Sequence, residues 1–401
     1  MRVIVCGGGP GGSTAAATLA REGVETVLIE KSFSRIKPCG GAIPPVLVRE
    51  FDIPEHLIQR RVDAVAVYAP SGKAVKMSIN DGYVGMVCRE AFDQFLRQRA
   101  QAAGAMVVEG RVDQIDATER GATVTCVAPD GRRVTLTADA IIGADGANSF
   151  VARKFDLHQG GLVAAAVQER FALNSETAKR LNERCEIYYD SRFSPDFYGW
   201  VFPKADHVAI GTGTAIRNAN IKKHMDAFKR HLGVDEAPML REGAPIPLKP
   251  YNRWVANRVA LVGDAAGLVA SSSGEGIFYA MKSGQMAAQA MLECAADLRN
   301  ERLHKAYQKA FLKKYGATFR FLEMMQNAYY KNDARREAFV AICRDRGVQD
   351  MTFQSYMYKT IVRMPVIDGV RIMSKNLYHM TKAMLGAYNP THRTGEPLLT
   401  P

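Results

Sequence analysis

Six residues near the start, Gly7-Gly8-Gly9-Pro10-Gly11-Gly12, constrain the fold more than any other stretch. They follow the apolar segment Val3–Cys6, precede the alanine-rich segment Ser13–Ala20, and fit the spacing GxGxxG. In such a loop Gly7 permits a tight turn, Gly9 lets a pyrophosphate approach the backbone, and Gly12 lets helix and strand pack closely. The next apolar stretch, Thr26–Glu30, ends in an acid 18 residues beyond Gly12, placed to accept hydrogen bonds from an adenosine ribose. The spacing therefore predicts a β-α-β unit with a pyrophosphate on the helix N-terminus.

The rest of the chain is long enough for a second body. At 401 residues, with 47% hydrophobic and 23% charged residues, it suits one compact protein with an inserted subdomain rather than a disordered chain. Alternation through Val62, Ala64, Ala66 and Tyr68, with a turn at Pro70-Ser71-Gly72, predicts a hairpin over residues 62–84. Arg89–Gly104 reads as a helix, and residues 105–142 read as strands around the Asp130-Gly131 turn. A second block of strands occupies about 156–250, including Cys185–Tyr189, Gly199–Phe202 and Val208–Gly211, and marks a substrate domain. Val259–Gly263 is again a buried strand, followed by a small-residue helix over about Gly276–Leu292. Beyond 296 the chain reads as helical, basic and rich in Tyr, Phe and Met: a helical cap on the core, or a membrane-facing helical surface.

Lysine and arginine outnumber the acids by 53 to 41, a net charge of +12, which suits an acidic partner: a dinucleotide, an anionic membrane or an acidic electron carrier. No nucleic-acid-binding motif accompanies the charge, so nucleic acid is not expected. The seven cysteines are widely separated and lack a CxxC pair, which argues against a disulfide framework and a zinc site and fits a reducing compartment. No signal peptide and no run of about 18 apolar residues is expected, so any membrane is met from the cytoplasmic surface.

Two further segments place an aspartate just past a buried strand beside glycines: Gly143-Ala144-Asp145-Gly146 and Leu261-Val262-Gly263-Asp264-Ala265-Ala266-Gly267. Either aspartate can cap the following helix. Taken with the N-terminal loop, Asp264 is placed to bind the ribityl hydroxyls of a flavin, a third site that a nicotinamide dehydrogenase would not need. In this order and at these separations, the three elements resemble the FAD-binding elements of the flavoprotein hydroxylase superfamily, whose fold is like that of p-hydroxybenzoate hydroxylase. Lys37-Pro38-Cys39-Gly40-Gly41-Ala42-Ile43-Pro44 and Tyr198-Gly199-Trp200-Val201-Phe202-Pro203, with Gly211-Thr212-Gly213 seven residues on, resemble the geranylgeranyl reductase family. The closest resemblance is to the branch that reduces the geranylgeranyl tail of chlorophyll or bacteriochlorophyll. It extends over nearly the whole chain, through Tyr83–Arg89, Ser273–Gly276, Arg336–Val340 and Met351–Tyr356.

The resemblance implies an α/β fold, α+β overall: a Rossmann-type FAD-binding domain, an inserted mixed-sheet substrate domain and a helical C-terminal region. The expected segments are 1–155 with the hairpin reaching into the substrate domain, 156–254 for that domain, 255–295 returning to the FAD domain, and 296–401. FAD contacts are implied for Gly7, Gly9, Gly12, Glu30, Arg89, Asp145, Gly146, Asp264, Gly274 and Gly276, with Gly274-Glu275-Gly276 bordering the isoalloxazine. On position alone Arg89 reads equally as a solvated surface arginine. Tyr198, Trp200 and Phe202 resemble a hydrophobic substrate pocket, or are plain core. Cys39 is a redox or gating thiol near the flavin, or an inert cysteine. The implied activity is hydrogenation of three double bonds of a geranylgeranyl chain, with NADPH or reduced ferredoxin as donor and Cys39, Tyr198, Glu275 or a water near Gly274 supplying the proton. The implied substrate is geranylgeranylated (bacterio)chlorophyll or geranylgeranyl diphosphate, at the cytoplasmic face of a photosynthetic membrane. Three rivals stay open: a flavin monooxygenase, a reductase of prenylated membrane lipids, and a binding protein that keeps the flavin fold as scaffold.

Overall fold

The computed structural model describes residues 1–79, 82–359 and 366–388. The chain forms two units, the first made of Met1–Lys37, Cys88–Val163 and Pro245–Phe319. Its six-stranded sheet has the order Val255–Ala256, Val259–Leu261, Ala140–Gly143, Arg2–Cys6, Glu25–Glu30, Met106–Glu109, parallel throughout except for the first pair. Its central strands carry Val3-Ile4-Val5, Ala140-Ile141-Ile142 and Val259-Ala260-Leu261, all fully buried. Continuous apolar runs of this kind belong to a parallel sheet covered on both faces. In register, Val5 lies between Ile142 and Leu28.

The helix Pro10–Arg21 packs on Ile277–Glu293. A Cβ on Gly284 would fall 2.1 Å from the Gly11 carbonyl oxygen, so the small-residue composition lets the two backbones touch. Trp254 is fully buried; its indole N–H donates to the Tyr251 carbonyl at 2.7 Å and its main-chain N–H to the Gln308 side chain at 3.0 Å. The Tyr307 hydroxyl donates to the Leu261 carbonyl at 2.8 Å. These bonds fasten residues 300–319 to the sheet of this unit.

The second unit gathers Pro38–Val87, Ala164–Ala244 and Arg320–Pro401. Its seven-stranded sheet runs Leu240–Pro247, Val163–Ala172, His207–Thr214, Gly199–Pro203, Cys185–Tyr188, Ala64–Tyr68, Ala74–Ser78. The strands from Val163–Ala172 to Cys185–Tyr188 pair antiparallel; Cys185–Tyr188 pairs parallel with Ala64–Tyr68, and that strand forms the expected hairpin with Ala74–Ser78. One face packs under the helix Ile221–His231, where Met225 and Phe228 meet Phe171, Tyr188, Val201, Val208 and Ile210. A smaller sheet joins Ala42–Ile43, Val84–Val87 and Ile58–Val62. Among the described residues, no helix is long and apolar enough to cross a membrane.

The helices Asp333–Ile342, Arg346–Tyr358 and Val366–Met384 belong to this second unit. Arg336 is wholly buried and donates to the carbonyls of Ser194 at 2.8 Å, Pro195 at 2.7 Å and Tyr330 at 3.0 Å. Asp333 accepts from the main chain and hydroxyl of Ser191 at 3.0 and 2.6 Å, and the hydroxyls of Tyr189 and Tyr330 meet at 3.0 Å. The loop 189–195 is thus bolted to the tail, and the cap reading describes how this part of the tail packs.

The contacts divide the chain at other points than the expected segments. Residues 38–87 leave the first segment, 156–163 and 245–254 leave the second, and the tail splits at 319/320. Helical composition shows that the tail packs on something; Trp254 and Arg336, far apart in sequence, decide on what.

Replacing Arg336 by methionine keeps much of the volume but leaves buried carbonyls without donors. Arg336→Met should lower the free energy of unfolding by about 3 kcal/mol, read by chemical denaturation. An unchanged midpoint would show that the guanidinium does not hold the tail.

Candidate functional site

The motif residues of the first unit lie along one end of its parallel sheet. Gly7 follows Arg2–Cys6, Ala144 and Asp145 follow Ala140–Gly143, Gly263 and Asp264 come just after Val259–Leu261, and Glu30 ends Glu25–Glu30. These four strands are neighbours in the sheet, so segments scattered over more than 250 residues share one crevice at the strand C-terminal ends, where ligands of open α/β sheets bind.

Gly7 has φ of +112°, and a Cβ there would lie 2.3 Å from the Ala144 carbonyl oxygen. A Cβ on Gly12 would lie 1.9 Å from the Gly7 carbonyl oxygen. At Gly9 the same construction meets nothing within 4 Å. Gly9 is the N-cap of Pro10–Arg21, a helix with no side-chain cap and no acid in its first turn. Open space facing uncapped helix N–H groups fits the pyrophosphate of a dinucleotide. The Glu30 carboxylate accepts the Gly8 N–H at 2.6 Å, which sets it against the loop.

Asp145 takes the capping geometry. It accepts from the Ser149 hydroxyl at 2.5 Å and from the N–H groups of Phe150 and Val151 at 2.6 and 3.1 Å, and burial raises its pKa. Gly146, at φ +84°, leaves open space where a side chain would project. The Asp264 carboxylate is ion-paired with Lys37, and a Cβ on Gly276 would come within 3.2 Å of its Oδ1. Gly274, at φ +64°, closes a tight loop in which Ala270 and Glu275 bridge through their backbones. Glu275 is buried, and after burial its charge is the next cause raising the Tyr279 phenol. Arg89 is not a solvated arginine: its buried guanidinium grips Asp93 through two bonds of 2.9 and 2.7 Å.

In the second unit, Tyr198, Trp200 and Phe202 form a row along the strand Gly199–Pro203, on the face opposite Val201 and its helix-covered cluster. Ring centroids are 6.0 Å apart from Tyr198 to Trp200 and 6.3 Å from Trp200 to Phe202. Trp200 is paired with Gly211, and a Cβ there would fall 2.2 Å from the indole. Gly211 therefore lets the indole lie across the neighbouring strand. Tyr198 and Trp200 are buried, yet the Trp200 indole N–H has no hydrogen-bond partner among the described residues. A plain core tryptophan normally satisfies that donor.

The Cys39 loop lies over the same row. A Cβ on Gly40 would be 2.8 Å from the Phe202 ring. The buried Lys204 ammonium donates to the Gly40 carbonyl and, at 3.2 Å, to that of Val87; the Gln168 amide donates to the Cys39 carbonyl at 3.5 Å. The Cys39 thiol is half-buried and accepts the Gly41 N–H at 3.3 Å.

Sequence reasoning missed Lys37, Gln168 and Lys204 as positioning groups. The only available signal was an unusual lysine directly after the Tyr198–Pro203 motif. It also missed Lys31, whose pKa is lowered by burial first and by Arg35 next, near Glu30 and Asp145. Among the described residues, no cluster of three or more His, Cys, Asp or Glu could hold a metal.

A family model described as lycopene cyclase protein matches residues 2–362. The geranylgeranyl diphosphate reductase of Rhodobacter capsulatus is 42% identical over 381 residues, covering 94% of this chain and 96% of its own. Among solved structures, a geranylgeranyl bacteriochlorophyll reductase-like protein from Thermoplasma acidophilum superposes with a TM-score of 0.75 at 23% identity, over 90% of this chain and 97% of its own. A probable FAD-dependent monooxygenase from Pseudomonas aeruginosa superposes with a TM-score of 0.62 at 18% identity, over 85% and 99%. The fold is that of FAD-dependent monooxygenases, as expected.

Gly211→Ala should drive a methyl into the Trp200 ring and cost about 1–3 kcal/mol of stability. With only two tryptophans in the chain, the displacement is readable as a change in intrinsic fluorescence. An unaltered spectrum and melting curve would mean that the indole does not rest on this glycine.

Proposed function

Because the chain belongs to the geranylgeranyl diphosphate reductase family, we propose that it is an FAD-dependent oxidoreductase that hydrogenates three of the four double bonds of a geranylgeranyl chain to give phytyl. The observation that carries this reading is identity of 42% to the Rhodobacter capsulatus reductase over almost the full length of both chains. Lycopene and the geranylgeranyl group are both long isoprenoids, so the family model supports the same substrate class. The proposed substrate is the geranylgeranyl ester of a chlorophyll or bacteriochlorophyll, which puts the enzyme at the cytoplasmic face of a photosynthetic membrane. Free geranylgeranyl diphosphate is the second reading, favoured by the name of that relative.

The residues fit the cofactor. The N-terminus of Pro10–Arg21 and the open space at Gly9 would hold the pyrophosphate, Glu30 the adenosine ribose, and Asp264 the ribityl hydroxyls, with Lys37 orienting that carboxylate. Arg89, Asp145, Gly146, Gly274 and Gly276 complete the proposed cofactor set. The chemistry that FAD held by these residues would supply, once reduced, is a hydride for one alkene carbon. An isolated alkene has no carbonyl to polarise, so the chain must deliver a proton to the other carbon. Cys39, Tyr198, Glu275 or an ordered water near Gly274 would do so. Tyr198, Trp200 and Phe202 would line the apolar path of the tail and keep water out. NADPH or reduced ferredoxin would replenish the electrons, and the charge of +12 suits an acidic carrier protein.

The test is an anaerobic incubation of the protein with FAD, dithionite and geranylgeranylated bacteriochlorophyll, following the tail by mass spectrometry. Successive additions of H2, ending at three, are expected. Gain with geranylgeranyl diphosphate alone would keep the chemistry and move the substrate. Hydroxylated product with coupled oxygen uptake under air, and no hydrogenation, would replace the reductase by the monooxygenase that shares its fold. Asp264→Ala should weaken FAD retention about tenfold while the chain stays folded, measured by flavin absorbance after gel filtration. Full retention and turnover would remove Asp264 from the cofactor set.

A further inference from the structure

The last described helix, Val366–Met384, has a docked face and a bare one. Ile372 and Ala383 are buried and Asn376 and His379 half-buried, at the i, i+4, i+7, i+11 spacing of one helix face. Ile372 clusters with Ile342 and Val348 of the two preceding helices, and Asn376 accepts from the Tyr329 hydroxyl. On the other side Val370, Met373, Leu377 and Met384 are 58%, 71%, 69% and 77% exposed. At 3.6 residues per turn these four fall within an arc of about 60°. Tyr378 and, just past the helix, Leu385 are exposed beside them. Arg371, Lys375 and Lys382 fall within an arc of about 40° that begins beside Tyr378, about 100° round the helix from Val370.

Apolar side chains on a helix surface are ordinarily scattered; a continuous stripe marks a surface that something covers. The charge pattern says what. From Gly369 to Gly395 the sequence holds no aspartate or glutamate, while the basic residues follow Tyr378 round the helix, between the exposed face and the docked one. Arg371 and Lys375 both reach Asp345 and stay about half exposed, and Lys382 lies over the Tyr378 ring at 4.6 Å. An exposed apolar face that runs from Met373 round to Tyr378 and meets cations beyond it, on a helix not apolar enough to span, is the pattern of a helix lying in the surface of an anionic bilayer. A second copy of this chain would bring the same cations against themselves.

We propose that the bare face of Val366–Met384 docks the protein on an anionic phospholipid bilayer, with Met373, Leu377 and Met384 entering the acyl boundary and Lys375 and Lys382 at the headgroups. The proposal deepens the membrane location inferred above but does not need the reductase chemistry, and its test reads lipid binding rather than turnover.

The full-length protein is floated with vesicles of phosphatidylcholine and phosphatidylglycerol in equal amounts, and with vesicles of phosphatidylcholine alone. Strong binding to the mixed vesicles, weakened by salt and by the neutral composition, is expected. Met373→Gln with Leu377→Gln should reduce the bound fraction at least tenfold with an unchanged melting curve, because both side chains already face solvent. Lys382→Gln should give a smaller loss, confined to the anionic vesicles. Equal binding by the double variant, or no binding by the unaltered protein, would overturn the proposal. So would a dimer in analytical ultracentrifugation that the double variant abolishes without any vesicle binding, since the face would then be a self-interface.

Discussion

Backbone-to-backbone contact at the glycine loop is the constraint on which the first unit depends. Gly12 lies against the Gly7 carbonyl, Gly7 against the Ala144 carbonyl, and Gly284 against the Gly11 carbonyl, each with room for a hydrogen and none for a methyl. These contacts hold Pro10–Arg21 down on the sheet and beside Ile277–Glu293. They also bring the loops after adjacent parallel strands to one level, so that Asp145, Asp264 and Glu30 come from distant segments to a common crevice. A side chain at Gly7 would force the ends of Arg2–Cys6 and Ala140–Gly143 apart, and one at Gly12 or Gly284 would push the helix Pro10–Arg21 off the loop or off its partner helix.

The second unit solves a different problem, that of loops whose carbonyls lie outside the strand ladders. Two buried cations do this work by donating to backbone carbonyls. Lys204 holds Gly40 and Val87, and Arg336 holds Ser194, Pro195 and Tyr330. Burial lowers the Arg336 pKa, but a guanidinium has donors enough to satisfy several acceptors at once. Each cation fixes a loop bordering the Tyr198–Phe202 row: the Cys39 loop over Phe202 and the 189–195 loop before Tyr198. The row gains its shape from backbone that its own strand does not supply.

Much of the site was legible in the sequence because its signals are local. A tight turn needs glycine where it occurs, a parallel core strand is a continuous apolar run, and alternating aromatics share one face of a strand. The hairpin and the helix Arg89–Ala102 follow from such patterns, whereas the order of the strands in the sheets does not. Three other matters did not. Asp145 could cap a helix, and only the positions of the Ser149, Phe150 and Val151 donors show that it does. Arg89 could have been solvated, and only burial beside Asp93 shows that it is not. Lys37 gave no local hint of Asp264, 227 residues away.

By itself the sequence determined the glycine loop, the aromatic row, the class of fold and, through likeness to its relatives, the family. Each rests on short-range stereochemistry or on residues matched one by one. The tertiary structure alone decided which charges are neutralised, which loops lie over the row, where the tail divides between the two units, and which face of the last helix is left bare. Those outcomes depend on what meets across long sequence separations, and no local pattern encodes a partner that lies on another element.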